Sequence, residues 1–136
     1  ISKRECDAVL AVAYERDTAS LQKNFSVSVD EGGWVTKVVE KPRVTGPALK
    51  GVGIYTFTTR IFKALRITPP GNKGELGITE GVQTLIDLGH RVRTAAVSLW
   101  DINLTTPEDL ARCDEHLLAF RKGTVERYES IQPRFV

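Results

Sequence analysis

The sequence has no methionine, two cysteines, two histidines and two tryptophans. Cys6 and Cys113 are too few for a disulfide framework and lack the neighbouring ligands of a metal site. Both read as reduced, buried thiols of a cytosolic protein. His90 and His116 stand far apart, without ligand spacing, and read as surface residues. No Ser-His-Asp or Cys-His constellation is evident, which sets aside the nucleophilic triad chemistries. No apolar stretch approaches the ~18 residues of a membrane span, and no signal peptide is visible at the start; the expected location is the cytoplasm. The net charge is only +2, and no run of five like charges occurs, so neither nucleic acid nor a membrane surface is an expected partner. Ile1-Ser2-Lys3-Arg4 opens the chain with neither a cap nor a turn, and we read the sequence as truncated or open-ended.

What is present suits one α/β domain or part of one. At 136 residues the chain can bury a usable, small core. Asp7 to Tyr14 is a nearly continuous apolar run, suited to a strand covered on both faces in a mostly parallel sheet. Glu15 to Asn24 reads as loop with some helix. Phe25 to Asp30 and Trp34 to Lys41 read as a hairpin, with Glu31-Gly32-Gly33 as its turn and Pro42 ending it. Leu49 to Phe57 is the next strand. Thr58 or Thr59 is positioned to cap a helix carrying Ile61, Phe62 and Leu65 on one face. After the break at Pro69-Pro70-Gly71-Asn72, Thr79 is positioned to cap a helix bearing Val82, Leu85 and Ile86, with Gly89 at its end. Val92 to Ser98 is a strand. Thr106, Pro107 and Asp109 give the last helix the clearest start signal, with Leu110, Cys113, Leu117 and Leu118 as its apolar stripe. Strands alternating with helices imply α/β architecture. Four or five strands make an incomplete sheet with an open edge.

Four short stretches carry the functional signal: Glu40-Lys41-Pro42, Gly53-Ile54-Tyr55, Gly74-Glu75-Leu76-Gly77-Ile78-Thr79 and Thr106-Pro107-Glu108-Asp109-Leu110. In this order and at these intervals the chain resembles the sugar-1-phosphate nucleotidyltransferase family, from about Asp7 to Leu118. The resemblance implies the second half of that family's catalytic domain. The expected fold is a partial doubly wound, mostly parallel sheet with a β-hairpin. Residues 1–122 would form the sugar-phosphate-binding half and residues 123–136 a C-terminal tail. The family's glycine-rich nucleotide loop and its first metal aspartate have no counterpart in these 136 residues.

The resemblance implies a reaction in which a sugar-1-phosphate oxygen attacks the α-phosphorus of a nucleoside triphosphate. An NDP-sugar forms and pyrophosphate leaves. Such a site needs cations for the phosphates, oxygen ligands for Mg²⁺ and polar groups for the sugar hydroxyls. Lys41 then reaches the sugar phosphate and Glu40 the sugar hydroxyls; the bland reading is a solvated pair before a strand-ending proline. Gly53 lies against the sugar ring, with Gly51 lending the same freedom; the bland reading is a glycine at a bulge. Glu75 binds hydroxyls, or is a surface acid near a helix start. Tyr55 and Phe57 read as core. The family's second metal aspartate stands four residues before the proline of Thr-Pro-Glu-Asp-Leu. Counting back from Pro107 reaches Asn103, a neutral and weaker ligand. Either Asp101 serves as the ligand in a shifted register, or the metal site is weakened, or the copy is degenerate. Arg60, Arg66, Arg91 and Arg93 could form a phosphate patch, with a solvated face as the plainer account.

The function so implied is the sugar-phosphate side of a nucleotidyltransferase site. Sugar-1-phosphate is the partner of this chain, and the nucleoside triphosphate binds only with the other half. Negligible activity is expected of the isolated chain, and homo- or hetero-oligomers are compatible with it. The competing reading is a non-catalytic regulatory or assembly module, to which Asn103 points. A stand-alone carbohydrate-binding domain has only the Glu40-Lys41-Pro42 loop in its favour.

Overall fold

The first apolar run becomes β1 (Ala8–Glu15), and its burial follows the alternation of a strand. Ala8, Leu10 and Val12 are buried on one face, Ala11 and Ala13 on the other. The computed structural model describes residues 6–71, 74–96 and 101–121, in two units, Ile1–Leu99 and Trp100–Val136. In the first unit β1 leads through a one-turn helix, α1 (Thr18–Leu21), to the hairpin β2 (Phe25–Val29) and β3 (Val35–Glu40). Then follow β4 (Ala48–Phe57), α2 (Arg60–Ile67), α3 (Ile78–Asp87) and β5 (Val92–Ala96). Asp17 caps α1 by accepting the Ala19 N–H at 2.9 Å. At the hairpin turn only Gly33, not Gly32, takes a positive φ.

The sheet order is β3-β2-β4-β1-β5. It is mixed, which corrects the expectation of a mostly parallel sheet. β1 is parallel to β5 but antiparallel to β4, and β4–β2 and β2–β3 are also antiparallel. A continuous apolar run reports burial on both faces, and strand direction does not enter into it. Val38 on β3 donates its N–H to Gln83 Oε1 at 2.8 Å, so α3 satisfies part of that sheet edge.

The core lies between one face of the sheet and the helices α2 and α3. Leu10, Val12, Val27, Ile61, Val82 and Leu85 are among its members. Full burial of a leucine such as Leu10 or Leu85 stabilises by about 1.5–3 kcal/mol. Ile61 and Ala64 form the inner side of α2. Phe62, expected there, is 62% exposed, because its position points away from the stripe set by Ile61 and Ala64. Tyr55 and Phe57 pack at the margin of the core as expected, stacked on one another at 5.6 Å. On the opposite face, Lys50 is buried. Its ammonium pairs with Glu15 Oε2 at 3.1 Å and donates to Ser20 Oγ at 3.3 Å.

In the second unit α4 spans Pro107–Arg121. Its start matches the expected capping box. Asp109 N–H donates to Thr106 Oγ1 at 3.2 Å, and Asp109 Oδ2 accepts the Thr106 N–H at 3.0 Å. The expected apolar stripe is open: Leu110, Leu117 and Leu118 are exposed. Cys6 and Cys113 are free and only partly buried, a correction to the reading of both as buried thiols. The expected tail, 123–136, and the end of the expected strand, Val97 and Ser98, lie outside the described residues. Among the described residues no helix is long and apolar enough to cross a membrane.

Candidate functional site

Lys41 directly follows β3 and is the one non-glycine with positive φ among the described residues, at 46°. The left-handed region costs a residue with a Cβ about 1–2 kcal/mol. The strand end is held there by the Lys41 N–H, which donates to the Asn24 carbonyl at 2.7 Å, and by the buried Pro42. Strain of this kind at an exposed lysine is a pointer to function.

Glu40 pairs with Phe25 across the hairpin, so its side chain shares the helix-bearing face of the sheet. There Glu40 Oε2 accepts the hydroxyl of Thr79 at 2.8 Å. Thr79 is 6% exposed and is the second residue of α3. It was expected to cap that helix. The cap position belongs instead to Gly77, leaving the Thr79 hydroxyl free for the carboxylate. A small residue two positions before a threonine is the signal that could have separated these roles, since glycine is itself an acceptable N-cap. Glu40 also reaches β4 electrostatically. Burial, and then the Glu40 charge, push the Tyr55 phenol above its ordinary value.

β4 carries an irregularity at this level. Leu10 faces Tyr55 and Val12 faces Gly51, so Ala11 alone stands opposite Val52, Gly53 and Ile54. Gly53 has φ 74° and nothing within 4 Å of where a Cβ would stand. The bulge of the bland reading is present, and it leaves the Gly53 backbone bare. Gly51 differs from expectation. It is buried, and a Cβ there would fall 1.7 Å from Phe25 Cζ, so its bareness serves the packing of a phenyl ring. That ring also stacks on Tyr55 at 6.0 Å.

Lys41 and Gly53 lie at the same end of the sheet. β2 separates their strands, which places them two strands apart, about 10 Å. β2 begins at Phe25, and Asn24 just before it bonds the Lys41 N–H through its carbonyl. Glu75 is exposed in the segment leading into α3, three residues ahead of Ile78, where its carbonyl accepts the Gly71 N–H at 2.8 Å. Glu40, Thr79 and Tyr55 are thus linked at one strand end, with Lys41 next in sequence and Gly53 at the same end of the sheet.

Asp101 and Asn103 belong to the second unit, the former half-buried and the latter exposed. Among the described residues no group of three or more His, Cys, Asp or Glu side chains could hold a metal ion. One carboxylate and one amide leave most of an octahedral oxygen shell unfilled. Asp101 and Asn103 could supply only part of such a shell, since Mg²⁺ is commonly held by one or two carboxylates together with waters and substrate phosphates.

The four arginines do not form one patch. Arg66 is exposed in the last turn of α2, Arg60 pairs with Asp7 at 2.7 Å, and Arg91 and Arg93 both lie against Trp34. His90, expected to be a surface residue, is partly buried with Nδ1 3.3 Å from Asp7 Oδ2. Burial would raise the Asp7 carboxyl. The Arg91 N–H, the Arg60 guanidinium and His90 outweigh it and hold Asp7 below its ordinary value.

Comparison with known proteins bears on the family and the fold. A family model described as Nucleotidyl transferase matches residues 3–109. The chain is 34% identical over 85 residues to UTP--glucose-1-phosphate uridylyltransferase AglF of Haloferax volcanii, covering 62% of this chain and 35% of that protein. It is 32% identical over 113 residues to a glucose-1-phosphate thymidylyltransferase of Streptomyces antibioticus, covering 71% of this chain and 32% of that one. The chain therefore spans about a third of the length of these relatives. The crystal structure of UDP-glucose pyrophosphorylase complexed with UDP-glucose shares the fold, with a TM-score of 0.67 at 22% identity over 85% of this chain and 45% of that chain. With the family model covering most of its residues, this chain belongs to the nucleotidyl transferase family.

Proposed function

We propose that this chain supplies the sugar-phosphate side of a nucleotidyltransferase site, as the second half of the family's catalytic domain. In the whole reaction a sugar-1-phosphate oxygen forms a bond to the α-phosphorus of a nucleoside triphosphate. The bond from that phosphorus to the leaving pyrophosphate breaks. The work asked of this chain is positioning and charge compensation. The Lys41 ammonium neutralises the sugar phosphate. Glu40, aimed by Thr79, accepts from sugar hydroxyls. The bare backbone at Gly53 lets the ring approach, and Glu75 closes the rim.

The observation that carries this reading is the strained Lys41 beside a carboxylate fixed by Thr79, at the same sheet end as the exposed Gly53. Titration of the chain with glucose-1-phosphate in a calorimeter tests it. Lys41→Ala should weaken binding by about 1.5–3 kcal/mol, the scale of a hydrogen bond to a charged group. An unchanged affinity removes Lys41 from the site. Turnover is expected to be negligible for the chain alone, and robust pyrophosphate release from glucose-1-phosphate and UTP would refute the assignment to one side of the site.

A further inference from the structure

Trp34 stands just ahead of β3 and is fixed on two sides. Its backbone N–H donates to Asp30 Oδ1 at 2.9 Å, and its backbone also forms an isolated antiparallel bridge with Arg93 of β5. Two guanidinium groups converge on its indole. The Cζ atoms of Arg91 and Arg93 are each 3.9 Å from the ring centroid, so they are no more than twice that distance apart. Each contact is a favourable cation–π interaction, but together they gather two like charges on one ring. Among the described residues, none of the ion pairs engages either arginine. Arg93 Nε is buried without a hydrogen-bond partner, an uncompensated loss of solvation.

Two neighbouring carboxylates, Asp7 and Asp30, already accept other donors. Asp7 accepts from Arg60, His90 and the Arg91 backbone N–H, and Asp30 accepts the Trp34 N–H. Among the described residues neither guanidinium meets the paired acceptors its fork is shaped for. We infer that Arg91 and Arg93, held by Trp34, form a second anion site that takes a diphosphate group, free or carried by a nucleotide. A diphosphate presents two phosphoryl groups, one for each fork, whereas a single carboxylate offers one pair of oxygens, which one fork already uses. The site is distinct from the one at Lys41. Trp34 and Lys41 lie at opposite ends of β3, roughly 20 Å apart along the strand.

Trp34 reports occupancy directly. In a Trp100→Phe background its fluorescence should change saturably with inorganic pyrophosphate, and the midpoint should rise with salt. Arg91→Gln and Arg93→Gln should each weaken binding tenfold or more. Arg93→Lys, which keeps the charge and loses the fork, should fall between. Lys41→Ala should leave this midpoint unchanged, which separates the site from the sugar-phosphate reading. UDP tested beside pyrophosphate identifies the source: equal affinity marks a free diphosphate, and a tenfold gain for UDP marks a nucleotide. Arg91 is exposed, so Arg91→Gln should fold even if Arg93→Gln does not. The inference is overturned if millimolar pyrophosphate gives no saturable signal, or if Arg91→Gln binds as the parent does.

Discussion

The hydroxyl of Thr79 donates to Glu40 Oε2 at 2.8 Å, joining the first turn of α3 to the end of β3. The donor is buried and the carboxylate is exposed. Water can replace the bond energetically, yet it cannot reproduce the direction in which Thr79 holds the acid. Thr79→Val should therefore cost little in stability, about 1 kcal/mol or less, while weakening glucose-1-phosphate binding several-fold. Thr79→Ser should restore it. Thermal melts and calorimetry on the three proteins separate the two effects. Equal losses in both would reduce Thr79 to a structural residue.

Lys41 sets stability against binding. Glycine enters the left-handed region without a Cβ penalty, so Lys41→Gly should be more stable than Lys41→Ala by about 1 kcal/mol. Both remove the ammonium and should lose glucose-1-phosphate alike. Urea denaturation gives the first comparison. Matching midpoints would show that φ 46° carries no strain.

Gly51 and Gly53, two residues apart on β4, should respond to alanine for different reasons. At Gly51 the new methyl group would run into the ring of Phe25, which is 6% exposed. The cost should be about 1–3 kcal/mol, as for an overpacked core. At Gly53 there is room but φ is 74°, and the cost should be about 1–2 kcal/mol from backbone alone. Phe25→Leu in the Gly51→Ala background should recover part of the loss. The same change beside Gly53→Ala should recover none.

Acid should weaken the first unit through Asp7 and Glu15. Burial would raise Glu15, but the Asp17 N–H, the Ser20 hydroxyl and the Lys50 ammonium hold it below its ordinary value. Asp7 is depressed likewise. Their unfolded values lie near 3.8 and 4.5. Where the native carboxyl groups titrate lower, the unfolded chain binds more protons. This stabilisation is complete above those values and is lost as pH falls through the native ones. Arg60→Gln should lower the melting temperature at pH 6 and leave it near the parent's at pH 2. A constant difference across that range would show that Arg60 acts through packing.

Much of the fold is legible in the order of the residues. The apolar run of β1, the Gly33 turn, the Pro42 stop and the box at Thr106 and Asp109 are local signals, and each names its element. Strand direction is not local, and β1 took an antiparallel neighbour that its composition could not announce. The candidate site divides in the same way. Glu40, Lys41, Gly53 and Glu75 are named by their motifs, through the family resemblance, and their roles are those proposed above from it. Thr79 and the left-handed turn at Lys41 are not visible in this way, because both depend on α3 and β2 meeting β3 in space. Lys50 was hidden for another reason: a lysine reads as exposed until Glu15 and Ser20, thirty or more positions away, are folded against it.

The irregularity of β4 inserts an even number of positions between Gly51 and Tyr55 relative to Leu10 and Val12. Parity along the strand is thereby preserved, and the aromatic residues after the loop return to the helix side. Shortening the 52–54 segment by one would turn Tyr55 and Phe57 outward and empty the ladder above Phe25. Shortening it by two would keep every side chain facing as it does now and erase only the protrusion. The strand can thus lose the protrusion at Gly53 without losing its place in the sheet.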